Sequence, residues 1–381
     1  MTVRTPSRRR AKATAELDRA IGESEARAIV IWRGERVPLS GVPERIARIS
    51  GRDARERLYG AYVEALEAVN PLHERRLAAW MEAGDPVATA ARTGLAPAAF
   101  AASLERLALH TETPYYAALR RYVALIGIEH GDASEADLWY VLRGSTWAHW
   151  FGAREVARAL AATGRSTADA SELDGWRGAE ARLAGTPEAA DPAVAAAIGH
   201  AWSTLVGSPE WLEEELRVDP QGTAQFVDFA AFVRLWRIRR LTALLTYELR
   251  LYGTDDPGLQ RAYYAGIVGH LTGVAIAEAG YLVNVSHPFA SAAELQSTLL
   301  GDMLVEALEH RAGARWWRDP GSKKLIGRVA AASSVADAVA ELGYDALDWR
   351  PVLRQIRTRL IGEMSGYGGP NITTRAGTRK V

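Results

Sequence analysis

The sequence predicts an all-α protein built from long packed helices. Apolar residues recur at helical spacing through most of the 381-residue chain, and strand signals are scarce. Hydrophobic residues make up 48% and charged residues 24%, which is enough apolar surface for a large core. The 12 tryptophans and 13 tyrosines can bury extensive area. We therefore expect a globular body stabilised by large aromatic side chains.

Two long amphipathic helices are the clearest elements. In residues 53–80, charged and apolar residues alternate at helical spacing, and Leu58 and Tyr62 lie on one apolar stripe. The same rhythm runs through 226–251, but Arg240 stands in the apolar stripe of that helix. Two interpretations of this arginine are open. Either its stem packs while its head reaches water or a carboxylate, or the guanidinium faces a ligand.

The remaining elements are predicted from shorter signals. The apolar stretch 262–285 is interrupted by His270 and Glu278, which favours a buried helix over a membrane span. A serine ahead of the next helix is predicted to cap it, and that helix runs to about His310. The β-branched run at 28–32 is the one candidate strand.

Composition excludes several classes of function. Lysine and arginine total 46, and aspartate and glutamate total 46, so no global field attracts nucleic acid or anionic lipid. The absence of cysteine removes disulfides, thiolate nucleophiles and cysteine metal sites. The basic start has no apolar core of the kind a secretory signal requires, so a cytoplasmic location is expected.

Composition shifts along the chain predict two helical regions and flexible ends. Both ends are rich in arginine or glycine, which is typical of disordered tails. The predicted order is a disordered basic tail at 1–14, an N-terminal helical region at 15–165, a short linker at 166–200, a C-terminal helical region at 201–362 and a flexible glycine-rich tail at 363–381.

Seven segments, taken in order along the chain, carry a resemblance to a known protein family. They are Val30–Leu39, Arg52–Glu56, Thr113–Tyr116, Ala136–Gly144, Ser208–Leu212, Leu244–Leu249 and Gly313–Pro320. Taken in this order, they resemble the oligoendopeptidase F and thimet oligopeptidase group of zinc metallopeptidases. The resemblance implies a two-lobed helical shell around a peptide cleft. The linker 166–200 stands where that group carries its zinc-site segment.

The zinc motif of that group does not occur in this sequence. Such a hydrolase needs two histidines one helical turn apart, a glutamate between them and a third ligand from another helix. The nearest fragment is His73-Glu74, with Leu77 where the second histidine would stand. Alanine and isoleucine occupy 195–198, where the resemblance places the third ligand. We therefore expect no metal, no cofactor and no zinc-dependent endopeptidase activity.

No catalytic residue is carried over from the resemblance. Relatives place tyrosines after the segment equivalent to 287–289, where they support the oxyanion, but this chain has Ala292 and Ala293 there. Histidines and aromatic residues in apolar surroundings remain candidates for a surviving cleft. The predicted cleft residues are His200, Trp202, His270, Tyr281 and His287.

Two further patterns are explained by structure without a functional role. Asp302, Glu306 and His310 are four residues apart, a spacing that suits metal ligands or a proton relay, but a solvated helix face explains them. Residues 85–109 resemble a helix-turn-helix. Its candidate recognition helix has almost no side chain that could contact a base edge or a phosphate, so nucleic acid is not an expected partner.

Three hypotheses of function follow. The leading one is a non-catalytic, peptidase-like protein, a pseudoenzyme that binds a peptide or a protein partner such as an active paralogue. The second is an enzyme with non-zinc acid/base chemistry in the inherited cleft, using His200, His270 or His287. The third is a DNA-associated regulator. No membrane partner is expected, and the oligomeric state stays open.

Overall fold

The structure, a computed structural model, describes residues 8–92, 96–163, 175–254 and 256–360. These residues form seventeen α-helices and one antiparallel hairpin. The helices are α1 Arg8–Arg27, α2 Val42–Ala47, α3 Arg52–Ala83, α4 Pro86–Arg92, α5 Pro97–His110, α6 Glu112–Ala124, α7 Glu135–Leu142, α8 Ala153–Ala162, α9 Gly175–Ala184, α10 Pro192–Ser203, α11 Pro209–Glu215, α12 Pro220–Leu251, α13 Arg261–Thr272, α14 Ala290–Ala312, α15 Pro320–Ala330, α16 Val335–Glu341 and α17 Arg350–Leu360. The strands are β1 Ile29–Trp32 and β2 Glu35–Pro38.

The all-α prediction is confirmed. Helices α3 and α12, of 32 residues each, cover the two long amphipathic stretches of the sequence. The candidate strand at 28–32 is β1, which pairs with β2 through the turn at Arg33 and Gly34. Among the described residues, no helix combines the length and apolar character that a membrane crossing requires.

The long apolar stretch predicted as one buried helix is divided in two. Helix α13 ends at Thr272, and Gly273 takes a left-handed conformation with φ of 73°. Beyond it, the Ala275 amide donates to the Ala133 carbonyl, and the Glu135 amide donates to the Ala275 carbonyl. These two bonds draw the chain along the start of α7, so pairing with a distant segment overrides local helix propensity.

The predicted serine cap of α14 is also wrong. The residue ahead of the helix is Phe289, at φ of 61°, and no side chain caps the first turn. The Ser291 hydroxyl donates instead to the buried carboxylate of Glu248 on α12. The helix ends at Ala312, close to the predicted end at His310.

The described residues include parts of the predicted tail and linker. Helix α1 begins at Arg8, inside the predicted disordered tail 1–14, whereas the predicted tail 363–381 lies outside the described residues. In the predicted linker 166–200, the described residues from 175 onward form α9 and most of α10. Trp176 and Ala197 of those helices are buried in the main core, which extends from Leu77 to Leu360.

The segment resembling a helix-turn-helix forms α4 and α5, and its joining residues 93–95 lie outside the described residues. Helix α5 buries Ala101, Leu104 and Leu107 and packs against α12. Arg239 of α12 donates to the Ala108 carbonyl at 2.6 Å. One face of the candidate recognition helix is therefore part of the core.

Candidate functional site

A cavity of about 720 Å³ lies between α2, α3, α7, the start of α9, α12 and α13. Its volume falls in the range of small-molecule and peptide sites, which are concave and largely apolar with a few placed polar groups. Its wall combines aromatic rings with charged side chains. The aromatic residues of the wall are Tyr59, Tyr62, Trp139, Trp176, Trp236 and Tyr264.

Helix α7 presents one face along the cavity. Glu135, Trp139 and Arg143 are each four residues apart, so they lie on one side of the helix and span about 12 Å along its axis. The other side is anchored in the protein. Asp137 is fully buried and accepts a hydrogen bond of 2.7 Å from the buried Arg55 of α3. This ion pair fixes α7 and thereby the direction of its cavity face.

Three aromatic rings form the wall beside Glu135. Trp139 meets Tyr59 and Tyr62 edge-to-face, with both centroid distances at 5.6 Å. The two tyrosines are three residues apart on α3, so they lie on one face of it. Burial raises the pKa of Tyr62 well above its usual value, so its hydroxyl keeps its proton. The wall therefore offers flat apolar surface with a hydrogen-bond donor.

Glu135 is one of the two carboxylic acids that line the cavity. The Tyr59 hydroxyl donates to its carboxylate at 2.9 Å and accepts from the Ala277 amide at 3.3 Å. Burial raises the pKa of Glu135, while Arg240 and the Tyr59 hydrogen bond oppose that rise. By surface area, the Glu135 side chain is half-buried. The part of Glu135 that remains exposed lines the cavity.

Arg240 faces the same cavity from α12. It donates to the Asn284 side-chain oxygen at 2.7 Å, and the Asn284 amide donates to the Tyr264 hydroxyl at 2.7 Å. Among the described residues, no carboxylate lies within 4.0 Å of its charged nitrogens. The guanidinium lines the cavity, where its charge acts on the carboxyl of Glu135.

The opposite end of α7 meets the start of α9. The Arg177 guanidinium donates to the Leu142 carbonyl at 3.0 Å, and the Trp176 indole donates to the Arg143 carbonyl at 3.1 Å. The chain leaves α7 through Gly144 at φ of 61°, where a Cβ would lie 2.6 Å from the Trp176 indole nitrogen. A glycine is therefore required at this junction.

A second, smaller cavity of about 110 Å³ lies beside His200 and Arg234. The His200 Nε2 lies 3.1 Å from a carboxylate oxygen of Asp302, and Arg234 donates to the same oxygen. Burial alone would raise the pKa of Asp302, but Arg234 and His200 bring it below the usual range. Asp302 is 0% exposed. The prediction of a solvated helix face is therefore wrong for this residue.

The predicted cleft residues do not meet in one place. His200 lines the smaller cavity, and Trp202 is buried in the core. Tyr281 is also buried, whereas His270 and His287 are exposed. None of the five lines the large cavity.

The donors around the large cavity do not fit a zinc centre. Its lining holds Glu44 and Glu135 but no histidine. Glu306 is bonded to Tyr344 and Arg354, so it does not join Asp302 in a ligand set. Across the described ranges, no group of three or more His, Cys, Asp or Glu side chains could hold a metal ion.

The sequence did contain a signal for the residues that line the cavity. Glu135, Trp139 and Arg143 have the spacing of one helix face. They lie in or beside the segment Ala136–Gly144, which was interpreted only through its resemblance to the peptidase group. Tyr62 was predicted as part of a core stripe, and it does pack there while also reaching the cavity. Which helix face lines a cavity depends on packing that no local pattern records.

The fold is shared with solved oligopeptidases. PZ peptidase A, solved with an inhibitor, superposes with a TM-score of 0.65 at 12% identity, covering 94% of this chain and 78% of that one. Oligoendopeptidase F from Enterococcus faecium gives 0.63 at 12% identity, covering 93% and 72%. The sequence matches no protein-family model and no curated protein. The likeness therefore concerns the fold.

Proposed function

We propose that this chain binds a short peptide, or a peptide segment of a protein partner, in the large cavity and does not cleave it with zinc. The observation that carries the proposal is the cavity of about 720 Å³ with its aromatic and charged wall. The shared fold adds support, because the proteins that show it are named as peptidases. A protein partner that offers such a segment, an active paralogue among them, would dock at the same place.

The dimensions suit three or four peptide residues. The face of α7 from Glu135 to Arg143 is about 12 Å long, and an extended peptide advances about 3.3 Å per residue. Aromatic rings such as Trp139 offer contact area with little loss of conformational entropy. Glu135, Arg240 and the tyrosine hydroxyls supply hydrogen bonds to the peptide backbone and termini.

The absence of zinc cleavage rests on donor chemistry. The sequence contains no His-Glu-x-x-His, and the cavity lining offers two carboxylates without an imidazole. Two carboxylates are a poor zinc set, because catalytic zinc sites use three protein ligands that usually include histidine.

Binding and cleavage are tested on the full chain with a pool of tripeptides. Native mass spectrometry detects complexes, and calorimetry measures the affinity of the peptides retained. Trp139→Ala should weaken binding about tenfold, in line with the loss of an aromatic contact of about 1 kcal/mol or more. Trp349→Ala, at a half-buried position that stacks on His110 outside the cavity lining, is the matched control. Thermal melts of both variants separate lost binding from lost folding.

Two results would contradict the proposal. The first is no retained tripeptide at millimolar concentration. The second is cleavage of quenched-fluorescent peptides that a chelator abolishes, together with zinc bound in proportion to protein.

A second candidate function is proton-transfer catalysis in the same cavity. The observation that favours it is Glu135, whose pKa is raised by burial and which accepts a hydrogen bond from Tyr59. A carboxyl with a raised pKa is suited to act as a general acid or base. Glu135→Gln should then abolish any turnover found in a metal-free substrate screen. Glu44→Gln, which alters a cavity carboxylate already paired with Arg48, should leave that turnover intact.

A further inference from the structure

We propose that Arg143 and Arg177 together bind a carboxylate of the peptide at the end of α7. This inference rests on the proposed function, because it names the group by which the peptide is held. Both side chains line the large cavity, and they come from the two helix ends that meet there.

The distribution of charge in the cavity lining favours an anionic group at the end of α7. The lining contains four arginines and two glutamates. Arg48 is paired with Glu44 at 2.5 Å, and the charge of Arg240 acts on Glu135. Arg143 and Arg177, like Arg240, have no carboxylate within 4.0 Å among the described residues, although the charges of Glu180 and Glu44 act on Arg177. Positive charge in excess at one end of a concave site favours an anionic group of the ligand.

The local geometry leaves hydrogen-bond donors open. A guanidinium has five N–H donors. Arg177 commits one nitrogen to the Leu142 carbonyl, and its buried Nε has no partner. The buried Nε of Arg143 is likewise unpartnered, while its guanidinium lies over the Tyr140 ring at 5.2 Å. Both side chains are therefore held in place without having their donors satisfied.

The surroundings strengthen the attraction for an anion. Burial lowers the pKa of Arg177, and the positive charge of Arg237 lowers it further, while Glu180 and Glu44 act in the opposite direction. A carboxylate placed beside Arg177 would relieve that repulsion. Helix α9, ten residues long, also begins at Gly175 on the cavity wall, so the positive end of its dipole lies at the same place.

The carboxylate has two possible sources, the C-terminus of the peptide or an acidic side chain. Three tripeptide pools separate them: free C-termini without Asp or Glu, the same pool amidated, and amidated peptides with one internal Glu. Affinities are measured by calorimetry on the full chain. The wild-type protein should bind a carboxylate-bearing pool about 10- to 100-fold more tightly than the amidated neutral pool, as expected for a charge-assisted hydrogen bond.

Substitutions test which arginines produce the preference for a carboxylate. Arg143→Gln and Arg177→Gln should each remove most of that preference, and Arg177→Lys should keep part of it. Arg48→Gln is the control, since it removes the same charge from the same cavity at a side chain already paired with Glu44. Thermal melts establish that each variant is folded.

The outcomes distinguish this inference from the proposed function. Equal binding of the neutral amidated pool and the carboxylate-bearing pools would overturn the anchor while leaving peptide binding intact. Equal loss of preference in Arg48→Gln would also overturn it, because net charge and not a local contact would then be responsible. Failure of all three pools to bind would overturn both proposals.

Discussion

Glu248 makes folding stability depend on pH in a way that can be calculated. This carboxyl on α12 is 1% exposed and accepts hydrogen bonds from the Phe289 amide, the Ser291 hydroxyl and the Tyr252 hydroxyl. It therefore ties α12 to the start of α14. Burial is the largest influence and raises its pKa from 4.5 to about 7, although the hydrogen bonds act in the opposite direction.

The sign follows from proton binding. Between pH 4.5 and 7 the folded protein keeps the Glu248 proton, whereas the unfolded chain has lost it. The free energy of unfolding therefore falls as pH rises through this window, at about 1.4 kcal/mol per pH unit for one proton. The change is complete above pH 7. Over the whole window it amounts to about 3 kcal/mol.

Glu248→Gln removes this titration and keeps a side chain of the same shape. Urea unfolding at pH 5 and pH 8 gives the free energy of unfolding of each protein. The wild type should lose about 2 to 3 kcal/mol more than Glu248→Gln between these two pH values. Subtracting the variant cancels every other titrating group. Glu64→Gln, at an exposed position of α3, is the control and should follow the wild type.

The same pH dependence in wild type and Glu248→Gln would refute the reasoning. A wild type that becomes relatively more stable as pH rises would refute it more strongly. That result would mean that the three donors outweigh burial and hold the carboxyl ionised.

Two further substitutions test how α12 packs against its neighbours and how α7 meets α9. Arg239 is 2% exposed and donates to the carbonyls of Leu271 and Ala108 at 2.7 and 2.6 Å. Arg239→Met removes this donor from both carbonyls, and the Ala108 carbonyl keeps only the amide and hydroxyl of Thr111. We expect a loss of about 3 kcal/mol in urea unfolding. Gly144→Ala places a methyl group 2.6 Å from the Trp176 indole nitrogen at a φ of 61°. It should lower the unfolding free energy by about 1 to 3 kcal/mol and weaken tripeptide binding.

Matched controls accompany these two substitutions. Arg250→Met removes an exposed arginine from the same helix as Arg239 and should change stability by less than about 0.5 kcal/mol. Gly60→Ala adds a methyl group within α3, where no atom lies within 4 Å of it, and should stabilise by about 0.5 to 1 kcal/mol. Equal effects in target and control would contradict the roles given to Arg239 and Gly144.

Elements with strong local patterns were predicted well. The stripe through Leu58 and Tyr62 predicted α3, and the stripe from 226 to 251 predicted α12. The β-branched run at 28–32 predicted β1. In each case a periodicity of a few residues decides which face is buried, so neighbouring residues carry the information.

Predictions failed where distant segments compete with local preference. The helix expected over 262–285 is divided at Gly273, because Ala275 pairs with the chain beside α7. Asp302 was expected on a solvated face, yet Arg234 and His200 from other helices make its burial possible. Arg234 and His200 are both far from Asp302 in the sequence, so no local pattern indicates them.

The amino-acid sequence determined that this chain forms long amphipathic helices, that it contains no His-Glu-x-x-His, and that Arg240 interrupts an apolar stripe. Only the tertiary structure decided that Glu135, Arg143 and Arg177 share one cavity and that the predicted histidines do not. Helix formation depends on bonds and side chains within a few residues. A cavity depends on the volume left between helices that are far apart in the chain, and that volume is set when the core packs.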